Sequence, residues 1–493
     1  MKQKKQFMNP HEVPTIPGTQ GWEEMYPYHY LFNKENPEQR KYENSRFWFL
    51  ESLHNPHPLT PLDVYSPNSW RFGISANSNR IVVVPTAKGI DHRILNGYLY
   101  ISPHSVEDPG EIQRRSELFE PRAGYYYQHW NEIFDEWTTE KMEKGLEEME
   151  SISSLPPRHV EPESTITETK GYSKGYELLH AYEKLWELYL HYGQYHCELQ
   201  TLAYAADAAY IDSMGKLFPG ITDKTIGDTI AGFESTLFRP PEELQRLSRL
   251  ALELGVADAI LSCDKWGKVP PKLEATDGGR KWLKQFEDVR YPWFEMSCGT
   301  GWYHSDLTWN QNLDVPLGSI KHYIEALKLG KDISRNLDEV RKKRDQIIGE
   351  YRSLIQSEAD RETFDRLSHL AITVARYPED HNWYYTNRTT ALIARKMNEL
   401  GQIFVNHGIL ERKEDICYLQ EQEISLTLYD LCTGWAIGIK PVGAYQWPSK
   451  VQRRKEIIER FREWDAPPAL GIAPDAVTEP LSVALWGVTT DKV

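Results

Sequence analysis

The chain has 493 residues, a net charge of -15 and 40% hydrophobic residues, which indicates a globular protein long enough for several domains. The acidic balance and the lack of basic runs argue against a nucleic-acid-binding protein and against adhesion to anionic membranes. No stretch of sequence approaches the roughly 20 apolar residues that span a bilayer.

Cysteine and aromatic content add two expectations. Five scattered cysteines predict free thiols in a reducing cytoplasm rather than a disulfide framework or a zinc ribbon. The basic start Met1–Lys5 leads into no apolar core, so we predict no signal peptide and a cytoplasmic location. The 16 Trp, 28 Tyr and 15 Phe are typical of thick cores or of a pocket for a flat ligand.

The first part of the chain, residues 1–150, is predicted to be a mixed region with a small sheet and a helix. Arg80–Pro85 and Gly97–Pro103 have the composition of strands, with a turn at Gly89–Arg93 between them. Residues 111–150 have a helical pattern. A serine- and proline-rich linker is expected at 151–168.

Helical periodicity dominates residues 169–465, which we predict to be one large substrate-binding domain. The final residues, 466–493, are rich in Pro, Ala and Gly and look like a connector. The expected fold class is therefore mainly α, with a small β-containing N-terminal part. Helices are predicted at 111–150, 172–217, 222–234, 240–255, 276–288, 317–329, 336–356, 360–377, 378–407 and 449–464.

One predicted helix concentrates chemically useful side chains. It begins at Pro378 and carries Asp380, His381, Trp383, Tyr384, Tyr385 and Arg388 in its first turns. At α-helical spacing the histidine, one tyrosine and the arginine share a face. That face suits an aromatic substrate near an anion, and the alternative is a core helix whose polar groups are structural.

A glycine-containing loop, Met296–Trp309, presents a second group: Trp302, Tyr303, His304 and Trp309. Loops often carry functional residues. Desolvation would lower the pKa of His304 and keep it neutral, as a general base requires. The alternative is a histidine that bonds the loop backbone.

Other chemistry is less well supported. No phosphate-binding glycine loop, dinucleotide fingerprint, serine-nucleophile elbow or zinc-protease motif is present. A metal site built from His304, Asp306, Asp380 and His381 is compatible with the sequence, although no pair has the i, i+4 spacing of many such sites. Asp91 and His92 form a weaker polar pair.

Several segments together resemble a known family, the phosphoenolpyruvate-synthase-like dikinases. The closest similarity is to the phenylphosphate synthases and related alkylphenol-phosphorylating enzymes, which are relatives of rifamycin phosphotransferases. The segments are Glu379–Tyr384, His407–Leu410, Glu414–Leu419, Ser45–Phe49, Gly89–Arg93, Gly124–Tyr127 and Thr478–Leu481.

The resemblance implies a three-part, phosphoenolpyruvate-utilising type of kinase, active in the degradation of aromatic compounds. An ATP-binding part phosphorylates a histidine on a swivelling domain, which carries the phosphoryl group to an acceptor. This chain lacks the segment bearing that histidine, so it would be the acceptor-binding part, either a split subunit or a truncated piece. It would bind no cofactor itself, with ATP and Mg²⁺ on the partner part.

The implied reaction is transfer from phosphohistidine to a phenol or another aromatic hydroxyl. His304 or His381 would be the base, Asp380 would orient the imidazole or balance its charge, and Arg388 would face the phosphoryl group. Trp302, Tyr303, Trp309, Trp383 and Tyr384 would form walls for the ring. The alternatives are a non-catalytic scaffold subunit and a metal-dependent hydrolase using the four residues named above.

Overall fold

The computed structural model describes residues 5–153, 159–490 and 492–493. The chain separates into two compact units. Unit 1 comprises Met1–Tyr204, Trp302–His304 and Leu392–Val493, and unit 2 comprises Ala205–Gly301 and Ser305–Ala391. The predicted domain boundaries follow the chain rather than these units and stay predictions, and residues 154–158 of the predicted linker lie outside the described residues.

The structure is mainly α-helical, which confirms the predicted fold class. The predicted helices correspond to α-helices or to runs of helices. In chain order these are α1 (Pro37–Asn44), α2 (Tyr65–Ala76), α3 (Pro109–Gln128), α4 (Trp130–Glu136), α5 (Lys144–Ser151), α6 (Ser164–Thr167), α7 (Glu177–Cys197), α8 (Gln200–Leu217), α9 (Asp223–Ile230), α10 (Arg239–Glu253), α11 (Ala257–Leu261), α12 (Val269–Leu273), α13 (Asp277–Trp293), α14 (Asp314–Lys328), α15 (Leu337–Leu354), α16 (Glu358–Val374), α17 (Tyr377–His381), α18 (Thr390–Asn406), α19 (Glu421–Ile437), α20 (Gly443–Arg462) and α21 (Pro480–Ala484).

Helix starts follow from local chemistry. The side chains of Asp108, Thr276, Asn336 and Ser357 cap α3, α13, α15 and α16 by accepting a bond from a first-turn amide, which satisfies a donor that the helix leaves open. Some helices continue as π-helical segments, in which hydrogen bonds span five residues instead of four. These segments are Asn77–Ile81, Trp137–Glu143 and Asn382–Thr389.

A four-stranded antiparallel sheet of order β2-β3-β1-β4 lies in unit 1. Its strands are β1 (Phe47–Leu50), β2 (Ala87–Leu95), β3 (Tyr98–Ser105) and β4 (Ala469–Gly471). Residues 466–493, predicted as a connector, thus supply β4, whose Leu470 pairs with Trp48. The turn predicted at Gly89–Arg93 was wrong, because these residues belong to β2.

The strand predicted over Arg80–Pro85 was also wrong. The π-helical segment Asn77–Ile81 extends α2 into this stretch. The amide of Val84 donates to the Ser78 carbonyl at 2.7 Å, and the Val84 carbonyl accepts from Arg115 Nε at 2.8 Å. Because these partners satisfy the buried backbone, β-branched residues pack here without a neighbouring strand.

Each unit has its own aromatic-rich core. In unit 1, Trp48, Tyr100 and Phe461 pack where the sheet meets α20. In unit 2, Trp282 and Phe286 pack with α10 and α14. All five cysteines lie in the described part of the chain and are free thiols, as predicted. No helix within that part is long and apolar enough to cross a bilayer.

Candidate functional site

The predicted site residues are divided between the units. Trp302, Tyr303 and His304 belong to unit 1, whereas Trp309 and the predicted site residues of the helix that begins near Pro378 belong to unit 2.

In unit 2, the predicted site residues of this helix lie on α17 and on the π-helical segment Asn382–Thr389. Its side chains are buried: Asp380 is 0% exposed, His381 5%, Trp383 1% and Tyr384 3%. The spacing that predicted a shared face for His381, Tyr384 and Arg388 assumed α-helical turns. It does not apply across the π-helical segment, where the hydrogen bonds reach five residues.

Asp380 organises the backbone and side chains around it. Its Oδ1 accepts from the Ser235 hydroxyl and from the Thr236 amide, both at 2.6 Å. Its Oδ2 accepts from Arg376 Nε at 2.7 Å. A fully buried carboxylate is tolerated only when its oxygens are satisfied in this way. Asp380 therefore balances the charge of Arg376, a partner that the sequence did not reveal.

These partners of Asp380 line a cleft of about 440 Å³ in unit 2, which we call the arginine cleft. Trp293 forms another part of its wall, and the predicted residue Trp383 stacks on Trp293 with ring centroids 5.3 Å apart. Asp380 and Trp383 are not among the lining residues, but they contact residues that line the cleft. The lining residues are Glu234, Ser235, Thr236, Phe238, Arg239, Glu242, Trp293, Arg335, Leu337 and Arg376.

Guanidinium groups lie on aromatic faces in this cleft. Arg335 sits 3.6 Å from the centroid of the Phe238 ring, and Arg239 sits 6.0 Å from that of Trp293. Burial lowers the pKa of Arg335, but an arginine stays protonated at neutral pH. Of the three guanidinium groups in the lining, Arg376 pairs with Asp380 and Arg239 with Glu243 at 2.8 Å. Arg335, on the Phe238 ring, is therefore the cation that suits an anionic group carried by a flat molecule.

His381 and Arg388, the predicted base and phosphoryl contact, have protein partners. His381 Nδ1 lies 3.3 Å from the Tyr377 carbonyl, and the two rings stack at 5.3 Å. Because a carbonyl only accepts, Nδ1 carries the proton and Nε2 is the basic nitrogen of the neutral ring. Arg388 Nη2 donates to the Tyr291 hydroxyl at 2.9 Å. Their proposed roles stay predictions.

The Met296–Trp309 loop is tied to the π-helical segment. Asn387 Oδ1 accepts from the Ser297 amide at 2.9 Å, and its Nδ2 donates to the Asn382 carbonyl at 2.9 Å. Gly301, at φ +79°, lies so close to Thr386 that an added Cβ would come within 2.8 Å of the Thr386 carbonyl oxygen. Within unit 2, the loop therefore contacts the π-helical segment at Thr386 and Asn387, which were not among the predicted site residues.

Two other residues of the loop, Asp306 and Trp309, contact neighbouring residues of unit 2. The Asp306 Oδ2 accepts from the Gly301 amide at 2.7 Å, which closes the loop. The Trp309 ring lies 6.0 Å from that of Phe294, edge to face, beside the unit 2 core. The predicted role of Trp309 as a pocket wall stays a prediction.

In unit 1, His304 forms an ion pair with Asp63. The Asp63 Oδ1 accepts from both the amide and Nδ1 of His304, each at 3.0 Å. Burial alone would lower the pKa of His304, but Cys417 and the Asp63 carboxylate raise it well above its ordinary value. The expected lowering was wrong, because it considered desolvation without the carboxylate. The sequence gives no signal that connects Asp63 to a residue 241 positions away.

Trp302 and Tyr303 are anchored in the same unit. The Trp302 ring lies 5.0 Å from that of His54 and 6.2 Å from that of Trp70. The Tyr303 hydroxyl accepts from the His57 amide at 2.8 Å and donates to its carbonyl at 2.7 Å. Both side chains are 6% exposed, so they pack within unit 1, and their predicted role as substrate walls stays a prediction.

The metal-hydrolase alternative finds no support in the described residues. Within them, no group of three or more His, Cys, Asp or Glu side chains has a geometry that could hold a metal ion. His304, Asp306, Asp380 and His381 therefore form no such group.

Comparison with known proteins gives two similarities. No protein-family profile matches the chain. Over 217 residues, 43% of the chain, it is 23% identical to an uncharacterised phosphotransferase, YvkC, of Bacillus subtilis (strain 168). Over 398 residues, 79% of the chain, it is 23% identical to the chondramide synthase cmdD of Chondromyces crocatus. The matches span 24% of the first relative and 9% of the second.

Proposed function

We propose that the chain is the acceptor-binding part of a phosphotransferase and that the arginine cleft holds a hydroxy-aromatic acceptor, such as a phenol. One observation carries the assignment: Arg239, Arg335 and Arg376 line the same cleft as Trp293, and Arg239 lies 6.0 Å from the centroid of its ring. The similarity to an uncharacterised phosphotransferase supports the class of reaction.

The chemistry suits these groups. In the reaction, the P–N bond of phosphohistidine breaks, a P–O bond to the phenol oxygen forms, and a base takes the phenol proton. Phosphoryl transfer depends on positioning and on cations that stabilise charge on the equatorial oxygens. A ring packed on Trp293 would place its hydroxyl beside guanidinium groups, which favour both the phenolate and the incoming phosphoryl group.

In this proposal, the phosphohistidine and the nucleotide are held by other parts of the enzyme. A phosphohistidine swivelling domain would deliver the phosphoryl group, and an ATP-binding subunit with ATP and Mg²⁺ would charge that domain. Of the two predicted bases, His381 lies in unit 2 and remains the candidate, because the raised pKa of His304 keeps its ring protonated at neutral pH.

The test separates binding from chemistry. Phenol binding is measured by calorimetry, and transfer is measured from a phosphorylated carrier domain to phenol. Because the guanidinium acts mainly on the charge that develops in the transition state, Arg335→Met should lower the transfer rate by about a hundredfold or more. Phenol affinity should change only slightly. Trp293→Leu should instead weaken phenol binding by about tenfold, through lost ring packing.

Arg352→Met is the matched control, since Arg352 lies in unit 2 but is exposed and paired with Asp365. It should change neither quantity. If phenol does not bind, or if Arg335→Met transfers phosphate as fast as the control, the cleft is not the acceptor site. A chain that docks the partner parts without binding phenol would be the scaffold subunit.

A further inference from the structure

A second cleft, in unit 1, lies beside β2, the edge strand of the sheet. We call it the strand-edge cleft. Its volume is about 580 Å³, which is in the range of small-molecule sites. It lies where α2 and the 3₁₀ helix Tyr28–Tyr30 meet β2 and β3. Its lining residues are His29, Tyr30, Asn68, Arg71, Phe72, Ser75, Asn79, Lys88, Ile90, Asp91 and His104.

A backbone irregularity in β2 accompanies the cleft. The register between β2 and β3 shifts between Ala87 and Ile90, as in a β-bulge, and bulges re-aim side chains near binding sites. Gly89 has φ +97°, and an added Cβ would lie 2.7 Å from Ser75 Cα, so glycine is required. The Ser75 hydroxyl donates to the Ile90 carbonyl at 3.0 Å and accepts from its amide at 3.3 Å. These bonds hold the irregular strand on α2, with Lys88 in the cleft lining.

Arg71 is also held in place. Its Nη2 donates to Asp91 Oδ1, and its guanidinium lies 4.9 Å from the centroid of the Tyr30 ring. Asp91 in turn accepts from Arg93 Nη1 at 3.0 Å and from the His92 amide at 2.8 Å. Several donors already compensate the Asp91 carboxylate. These bonds hold the Arg71 guanidinium in a fixed position in the cleft.

The surroundings of the cleft are positive. Burial, together with Arg46, Arg93 and Lys88, lowers the pKa of His104 to about 4, against the opposing charge of Asp91. Burial and Arg71 likewise lower the pKa of His29. Both imidazoles are therefore neutral at pH 7 and add no charge. A positive potential of this kind favours an anion.

We propose that the strand-edge cleft binds the phosphate group of a phosphorylated small molecule, with an apolar part of that molecule packed on Phe72. The phosphate would lie against Arg71 and Lys88, since guanidinium and ammonium groups are strong phosphate donors. Phe72 lines the cleft and is 62% exposed, which leaves its ring accessible to a ligand. The site lies in unit 1 and does not depend on the function proposed for the arginine cleft.

The experiment is calorimetric titration of the full chain with inorganic phosphate, glycerol 3-phosphate and phenyl phosphate. The titrations use an Arg335→Met background, in which the arginine cleft binds phosphate groups more weakly. The measured phosphate affinity then reports the strand-edge cleft. In this background, Lys88→Met should weaken phenyl phosphate binding by about tenfold. Glu111→Gln should strengthen it severalfold, because Glu111 pairs with Lys88 at 2.9 Å and its removal leaves the ammonium for the ligand.

Phe72→Ala should weaken binding of phenyl phosphate but not of inorganic phosphate. Lys144→Met is the control, since Lys144 is an exposed lysine of unit 1 that pairs with Glu140 away from the cleft. The proposal is overturned if no phosphate compound binds at millimolar concentration. It is also overturned if Lys88→Met and Glu111→Gln change affinity no more than the control. Equal affinity for inorganic phosphate and both esters would assign the site to free phosphate and overturn the role of Phe72.

Discussion

Asp63 and His304 form a buried ion pair in which one carboxylate oxygen accepts both the amide and the ring Nδ1 of the histidine, each at 3.0 Å. Two bonds to one oxygen fix the backbone and the ring together. The side chain of Asp63 is 1% exposed and that of His304 is 17% exposed, so water screens the pair weakly. His304 is therefore held as an imidazolium at neutral pH, with Nδ1 committed to Asp63.

We predict that Asp63→Asn lowers the pKa of His304 toward its ordinary value of 6.5, although Cys417 continues to raise it. The amide removes the negative charge, whereas burial continues to oppose the imidazolium. Titration of the His304 ring by NMR measures the change. A His304 pKa that stays high in this variant would contradict the assignment to Asp63.

The same pair makes stability depend on pH. His304 has a raised pKa in the folded state, so its contribution is complete below 6.5 and is lost as the pH rises through the folded value. His304 lowers the pKa of Asp63 although burial opposes this, so the Asp63 contribution is complete above 3.8 and is lost as the pH falls through the folded value. We expect Asp63→Asn to cost about 3 kcal/mol of unfolding free energy, with the largest loss between pH 3.8 and 6.5. Thr60→Ala controls for the Asp63 bond to Thr60.

Asn387 should hold the Met296–Trp309 loop. Asn387→Ala removes the acceptor of the Ser297 amide and the donor to the Asn382 carbonyl, which should cost about 1–2 kcal/mol. Hydrogen exchange of the Ser297 amide should become faster. Asn398→Ala, which removes a side-chain bond to a carbonyl within α18, should leave that amide unchanged. Equal exchange in the two variants would show that Asn387 does not anchor the loop.

Asp380 should determine the shape of the arginine cleft. Asp380→Ala leaves the Arg376 side chain, the Ser235 hydroxyl and the Thr236 amide without their shared acceptor. We expect the unfolding free energy to fall by about 3 kcal/mol and phenol binding to weaken in the variant that remains folded. Asp365→Ala, which breaks an exposed pair with Arg352, should cost less than about 1 kcal/mol. Chemical denaturation compares the two.

Asp207 tests the opposite case, a carboxyl group whose pKa is raised in the folded protein. Burial raises the pKa of this α8 carboxyl from 3.8 to about 7, and its Oδ1 has no hydrogen-bond partner among the described residues. A raised carboxyl pKa costs the folded state free energy as the pH rises from 3.8 to about 7. Asp207→Asn should therefore stabilise the protein at pH 8 by about 1–3 kcal/mol, with little effect near pH 4. Asp212→Asn, an exposed residue of the same helix, should show no such pH dependence.

Helices were predictable because their causes are local. The apolar spacing of α7 and α10, and caps such as Asn336 and Ser357, lie within a few residues of the helices they specify. The prediction of a strand at Arg80–Pro85 was wrong because a run of valines can pack in a buried loop as well as in a strand. Its backbone is satisfied there by Ser78 and by the distant Arg115, which no local pattern reveals.

The candidate site likewise combines features with local causes and features that depend on residues distant in the chain. By itself, the sequence determined the mainly helical fold, the helix that carries Asp380 and Trp383, and the glycine loop that carries His304. Only the tertiary structure decided that Asp380 pairs with Arg376 at the arginine cleft, and that Cys417 and Asp63 raise the pKa of His304 by more than burial lowers it. The physical reason is that charge and hydrogen bonding depend on distance in space, and these partners lie 4 to 241 residues apart in the chain.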